Sequence, residues 1–141
     1  MSEHATRPTA IDVSALLGRG VGELATKMGI EFHELSAERS VATMPVGGNT
    51  QPFGILHGGA HVVLAETLGS IAANVYAGET RVAVGIEVNA SHSRSARSGF
   101  VTGTCTAIHL GKTLATHEIA INDEVGRRLT TVRITNLLRD R

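Results

Sequence analysis

The stretch 51-QPFGILHGGAHVVLAETLGS-70 begins as a loop, passes through a histidine and two glycines, and becomes an apolar segment with one carboxylate, Glu66, in its middle. From His57 to about Tyr76 the chain has no proline and is rich in Ala, Leu and Val, and Ala77-Gly78 supplies a stop, so this segment is predicted to be the one long helix. Upstream, 29-GIEFHELSAERSVATMPV-46 reads as two strands joined at Ala37-Glu38, closed by the turn signal Gly47-Gly48-Asn49. Residues 11 to 28 carry one or two short helical patterns among glycines, and residues 1–10 read as a flexible N-terminal arm.

Downstream the period changes from helix to strand. In 80-TRVAVGIEVNASH-92 the even positions Val82, Val84, Ile86, Val88 and Ala90 are apolar and the odd ones are mostly polar, the pattern of a half-buried strand. Runs near 99–109, 113–122 and 128–138 are rich in Val, Ile and Thr and are separated by Leu110-Gly111 and Asn122-Asp123-Glu124-Val125-Gly126, both hairpin signals. Hairpin links make an antiparallel sheet, and a single apolar helix must then lie across it. The expected fold is α+β, one domain over 11–141, with five or six strands around a central helix.

With 141 residues the chain is long enough to bury roughly two thirds of its unfolded surface without covalent staples. Thirteen basic residues balance 13 acidic ones, which leaves no overall field for nucleic acid or an anionic membrane, and the 3% aromatic content supplies no base-stacking platform. A single cysteine, Cys105, excludes an internal disulfide and fits a reducing compartment. No segment has the length and apolarity of a signal peptide or a membrane span, so a cytoplasmic location is expected.

Residues three, four and seven apart share a helix face, which places Glu66 with Gly59, Val62, Val63, Ser70 and Ala73, a face apolar apart from Ser70. A carboxylate desolvated there would gain basicity and serve as a general base or nucleophile; a solvent-facing or arginine-paired glutamate is the plain alternative. At the start of the same helix, His57-Gly58-Gly59 leaves backbone N–H groups without partners at the positive end of the helix dipole, a place for an anion or a polarised carbonyl oxygen. The plain alternative here is a tightly packed helix entry. With Gln51 as a nearby side-chain donor, these are the parts of an oxyanion hole beside a carboxylate. At about 1.5 Å per residue, Gly58 and Glu66 stand roughly 12 Å apart on one helix, too far to act on one carbonyl. Cooperation therefore requires two chains with antiparallel helices, each Glu66 facing the other chain's His57-Gly58, hence a dimer with two shared sites.

The run QPFGILHGGAHVVLAETLGS, followed by GIEVNASHSRSARSG and IHLGKT, resembles the hotdog-fold acyl-CoA thioesterases over about residues 24 to 138, in the branch that contains 1,4-dihydroxy-2-naphthoyl-CoA hydrolases, the enterobactin-pathway proofreading thioesterase and the phenylacetate-pathway type. The resemblance implies a long helix wrapped by an antiparallel sheet, assembled as dimers and usually tetramers, and hydrolysis of an aromatic or medium-chain acyl-CoA without a cofactor. It makes Glu66 the catalytic carboxylate, as nucleophile or as base for water. Gly58 becomes the N–H that polarises the thioester carbonyl, His57 and Gln51 orient the acyl group or water, and Ser70 helps place water. His92 would line the acyl or pantetheine path.

Arg94 and Arg97, in Ser-His-Ser-Arg-Ser-Ala-Arg, are suited to hold coenzyme A phosphates, although a solvated loop would carry the same residues. Gly59 is expected to let substrate approach the helix start. His57 and His61 have the i, i+4 spacing of a zinc face, but Gly58 stands where a metalloprotease would carry its glutamate, and no metal is expected. Val62, Val63, Leu68 and Phe53 indicate only that an acyl pocket here is apolar. Two competing readings are a hotdog hydratase or dehydratase, and a non-catalytic acyl-CoA binding module.

Overall fold

The computed structural model describes residues 7–141. Two short helices, α1 (Ser14–Leu17) and α2 (Glu23–Met28), precede the hairpin of β1 (Glu31–Leu35) and β2 (Arg39–Pro45). The long helix α3 (Gly58–Ala77) follows, then β3 (Arg81–His92), β4 (Phe100–Leu110), β5 (Leu114–Asn122) and β6 (Arg128–Asp140). All six strands join one antiparallel sheet in the order β1-β2-β4-β5-β6-β3, with α3 packed across it. This is the α+β hotdog arrangement expected above.

The helix is held by its inner face. Leu64, Leu68 and Ala72, spaced by four, and Ala65 are fully buried against Val101, Ile119, Ile121, Val132 and Ile134 of the sheet. Two glycines set how closely the layers approach. A Cβ at Gly69 would run into the Ile134 side chain, and one at Gly103 would lie 2.6 Å from Leu68 Cδ1. Asn74 ties the helix to the start of β3, its Oδ1 accepting from the Ala83 N–H at 3.0 Å and its Nδ2 donating to the Ser70 carbonyl at 2.8 Å.

The half-burial predicted for β3 is not met within one chain. Ala83 is buried, but Val84, Ile86 and Val88 are 43%, 57% and 36% exposed. β3 is an edge strand bonded only to β6, and it bulges at Ile86, where the register shifts between Gly85 and Glu87. Its apolar alternation thus faces outward for most of its 12 residues. The first six residues of the expected arm lie outside the described residues. Beyond them the chain is laid along β1, where His33 Nδ1–H donates to the Thr9 carbonyl at 3.0 Å and the Ile11 N–H donates to the Phe32 carbonyl at 2.8 Å.

Candidate active site

The entry to α3 is pinned from both sides. The Leu56 N–H donates to the Ala96 carbonyl at 2.8 Å and the His57 N–H to the Asn49 carbonyl at 2.9 Å, which fixes where the helix begins. His57 has extended backbone (φ −62°, ψ 134°) and acts as the N-cap, its Nδ1 accepting from the Gly59 N–H at 2.8 Å. An accepting Nδ1 carries no proton, so the neutral ring holds its proton on Nε2 as a free donor. The Gly59 N–H is thereby used for capping. Among the described residues the Gly58 N–H has no acceptor, and the dipole of a 20-residue helix lies behind it.

Two further imidazoles lie near the helix start. His92, at the end of β3, is anchored through Nδ1 to Thr130 Oγ1 at 3.0 Å, and a Cβ on Gly58 would lie only 3.2 Å from His92 Nε2. Glycine at 58 thus leaves that ring room to stand close to the helix start. His61, one turn into α3, is buried with its ring centroid 5.3 Å from that of His92, tilted 54°. Its Nδ1 has no partner among the described residues, and burial, followed by the neighbouring His92, pushes its pKa down to about 4. His57 thus turns its Nδ1 to the Gly59 N–H, whereas His61 packs against the His92 ring, although the two lie four apart. Gln51 sits just upstream in a tight loop, its Oε1 accepting from the Phe53 N–H, which leaves its amide nitrogen free to donate.

Glu66 belongs to a different place. It lies mid-helix on the face turned away from the sheet, without a hydrogen-bond or ion-pair partner among the described residues, in a groove of about 320 Å³ lined by Val21, Leu24, Val62, Val63, Thr67, Ser70 and Ile71. A second hollow of about 260 Å³ on its other side is lined by Gly85, Ile86, Glu87, Val88 and Ile134. The desolvation expected for Glu66 is absent in one chain, where the carboxylate is exposed. The expected face also needs correction at both ends, because Ala73 is fully buried under the sheet and Gly59 is outside the groove. The physical reason is that α3 has only one layer to pack on, so its outer face is open.

One chain consequently brings together Glu66 with Ser70, and separately His57, Gly58, Gly59 and His92 with Gln51 nearby, but not the two groups with each other. Arg94 and Arg97 are exposed in the segment after β3. Arg94 Nη1 donates to the Arg128 carbonyl at 3.3 Å, and Arg97 shares a hollow with Asp123, Glu124 and Arg127. Cys105 is fully buried with its thiol pushed up to about 12 by desolvation, which leaves no thiolate to react. Sequence reasoning gave His61 no role beyond a rejected zinc face, and gave α2 none. The i, i+4 relation of His57 and His61 was the one available signal, whereas nothing local shows that Val21 and Leu24 line the groove of Glu66.

An open carboxylate and an unpartnered helix N-terminal N–H are thus carried on one helix against an antiparallel sheet, and the comparisons with known proteins place this arrangement among the hotdog thioester hydrolases. The thioesterase superfamily model matches residues 53–133, more than half of the chain. The chain is 45% identical over 124 residues to the proofreading thioesterase EntH of Cronobacter turicensis, covering 87% of this chain and 90% of that protein. It is 43% identical over 129 residues to the 1,4-dihydroxy-2-naphthoyl-CoA hydrolase of Escherichia coli, covering 91% and 95%. A crystal structure of a mutant thioesterase from Pseudomonas aeruginosa superposes with a TM-score of 0.84 at 37% identity, covering 94% of this chain and 97% of that one. A thioesterase from Haemophilus influenzae gives 0.83 at 34% identity, covering 96% and 94%. The chain belongs to the thioesterase superfamily and is a thioester hydrolase.

Proposed function

We propose that the protein hydrolyses an aromatic or medium-chain acyl-CoA to the free acid and CoA in sites shared by two copies of the chain. The observation that carries this reading is the separation of an unpartnered Gly58 N–H from an open Glu66, roughly 12 Å along a continuous helix. Antiparallel juxtaposition of two α3 helices brings the Gly58 N–H of one chain to the Glu66 of the other. The exposed apolar edge strand β3 supports the same unit, because its unpaired backbone and Val84, Ile86 and Val88 are covered when two copies meet edge to edge. The implied pairing of two such dimers follows from the resemblance alone.

In this site the thioester carbonyl oxygen takes the Gly58 N–H and the helix dipole, which stabilise the negative charge that develops on it. Glu66 attacks the carbonyl carbon, giving a mixed anhydride that water opens, or removes a proton from water that attacks directly; Ser70, Gln51 and the His57 Nε2–H orient the reactants. In both routes the tetrahedral intermediate expels the CoA thiolate, a leaving group good enough to need no metal, cofactor or dedicated acid. Arg94 and Arg97 are the candidates for the CoA phosphates. The names of two relatives described above, a 1,4-dihydroxy-2-naphthoyl-CoA hydrolase and a proofreading thioesterase, support an acyl thioester as substrate. One buried free cysteine suits work in a reducing cytoplasm.

The test is release of free thiol from a panel of aromatic and aliphatic acyl-CoAs by the protein and by Glu66→Gln. Turnover lost in the variant is expected. Undiminished turnover by Glu66→Gln would overturn the mechanism, and acyl-CoA binding without turnover by the unmodified protein would favour a binding module. In a single-turnover reaction in ¹⁸O-water, label in the Glu66 carboxylate marks the nucleophilic route with water opening the anhydride at the Glu66 carbonyl, and trapping of the anhydride by hydroxylamine marks that route whichever carbonyl water attacks.

A further inference from the structure

His92 is an exposed residue held at two points. The first is the bond between its Nδ1 and Thr130 Oγ1, 3.0 Å long, across the paired strands β3 and β6. Thr130 is fully buried and its hydroxyl has no other hydrogen-bond partner among the described residues, so the hydroxyl proton goes to His92 Nδ1; the reverse arrangement would leave a buried donor unsatisfied. An accepting Nδ1 places the proton of the neutral ring on Nε2. That nitrogen is the ring atom turned to the start of α3, 3.2 Å from where a Cβ on Gly58 would lie, with Cε1 and Cδ2 farther off at 3.6 and 3.7 Å. The sheet thus presents a second N–H beside the unpartnered one of Gly58.

One hydrogen bond leaves an exposed ring free to turn about it, so the aim of Nε2 needs a second contact. His61 supplies it. This residue is 2% exposed, and its ring centroid lies 5.3 Å from that of His92 at a tilt of 54°, within the range of a tilted ring pair. Its Nδ1 has no partner among the described residues, and burial, followed by His92, pushes its pKa down to about 4, so at neutral pH it brings His92 no charge. What His61 offers is a fixed surface, held in the core by the helix that also carries Gly58. On the shared-site reading above, which sets the thioester carbonyl oxygen at the Gly58 N–H, we infer that His61 is a positioning residue that acts through His92, backing its ring so that the Nε2–H stays aimed at that same oxygen. The charge that develops there is then shared by two donors, one fixed by the helix backbone and the other by Thr130 and His61.

The experiment measures kcat and KM for thiol release from an aryl-CoA by the full-length protein, His61→Ala, His92→Ala, the double variant and His61→Phe, with thermal melts to establish that each is folded. His92→Ala is expected to lower kcat by about 10²-fold, as for loss of one oxyanion donor. His61→Ala is expected to lower it by about tenfold, with KM changed by less than about twofold, and His61→Phe, which restores a ring, recovers part of the loss. Because His61 acts through His92, the double variant should match His92→Ala instead of multiplying the two losses. Multiplied losses would overturn the inference, as would undiminished kcat in either single variant. In ¹⁵N-labelled protein at neutral pH the His92 ring, identified by its absence from His92→Ala, is expected as the Nε2–H tautomer. In His61→Ala, or in His61→Val should the alanine variant not fold, it becomes a mixture of tautomers, because the freed ring swings away from Thr130. An Nδ1–H tautomer in the unmodified protein, or His92 signals left identical by the His61 substitutions, would sink the inference. Absence of turnover by the unmodified protein would instead overturn the thioesterase reading and the inferred role with it, an outcome told apart from the others because the ring signals are read without substrate.

Discussion

The two faces of α3 differ in what completes them. The inner face is finished within one chain, where Leu64, Leu68 and Ala72 are fully buried and glycines at 69 and 103 let helix and sheet approach closely. The outer face, with Val62, Val63, Glu66 and Ser70, borders an open groove. The contrast separates residues that hold the fold together from residues that a single chain leaves open to a ligand or a partner. Both sets occur on the same helix, a turn or less apart.

The largest expected effect breaks function without touching the fold. Glu66→Gln lowers kcat by about 10³-fold or more in thiol-release assays, while the unfolding free energy of the variant changes by less than about 0.5 kcal/mol, since Glu66 has no hydrogen-bond or ion-pair partner among the described residues. A large loss of stability in this variant would erase the distinction between the faces. On the inner face the pattern reverses. Leu64→Ala is expected to cost about 2–5 kcal/mol in urea unfolding through the cavity it leaves, and Gly69→Ala about 1–3 kcal/mol by forcing the new methyl into Ile134. Kinetic constants measured well below the unfolding midpoint should stay close to those of the unmodified protein for Leu64→Ala.

The smallest effect sharpens the boundary between the faces, at His61. Burial and His92 hold its folded pKa at about 4, against 6.5 for the free ring. Between those values the unfolded chain binds the extra proton, so stability is full above about pH 6.5 and declines as the pH falls towards 4. His117, whose pKa burial also lowers against a hydrogen bond to the Ala37 carbonyl, adds a contribution of the same sign. Thermal melts from pH 7 to pH 4 should therefore show a shallower decline for His61→Asn than for the unmodified protein. Identical slopes would mean that the His61 ring is not held neutral by its surroundings.

Much of the fold can be read from periodicity. The stop at Gly78, the turn at Asn122–Gly126 and the change from a helical to a strand pattern near Thr80 are local signals, and each corresponds to an observed boundary within a residue or two. At the site, Glu66 and His57-Gly58 stand out because a carboxylate and paired glycines are unusual in an apolar helix. His61 and Leu24 do not stand out. A buried histidine and a groove-lining leucine look like ordinary helix residues until the partner element is known, and the exposure of β3 depends on its place at the sheet edge rather than on its own alternation.

By itself the sequence determined the order of elements, the single long helix and the groups able to do chemistry, because turn residues and apolar periods act over a few residues at a time. Tertiary structure alone decided which face of α3 the sheet covers, that β3 lies at the sheet edge with Val84, Ile86 and Val88 exposed, and that His92 stands against Gly58 with His61 behind it. Those relations join residues tens of positions apart, and their distances are set by how one layer packs on another.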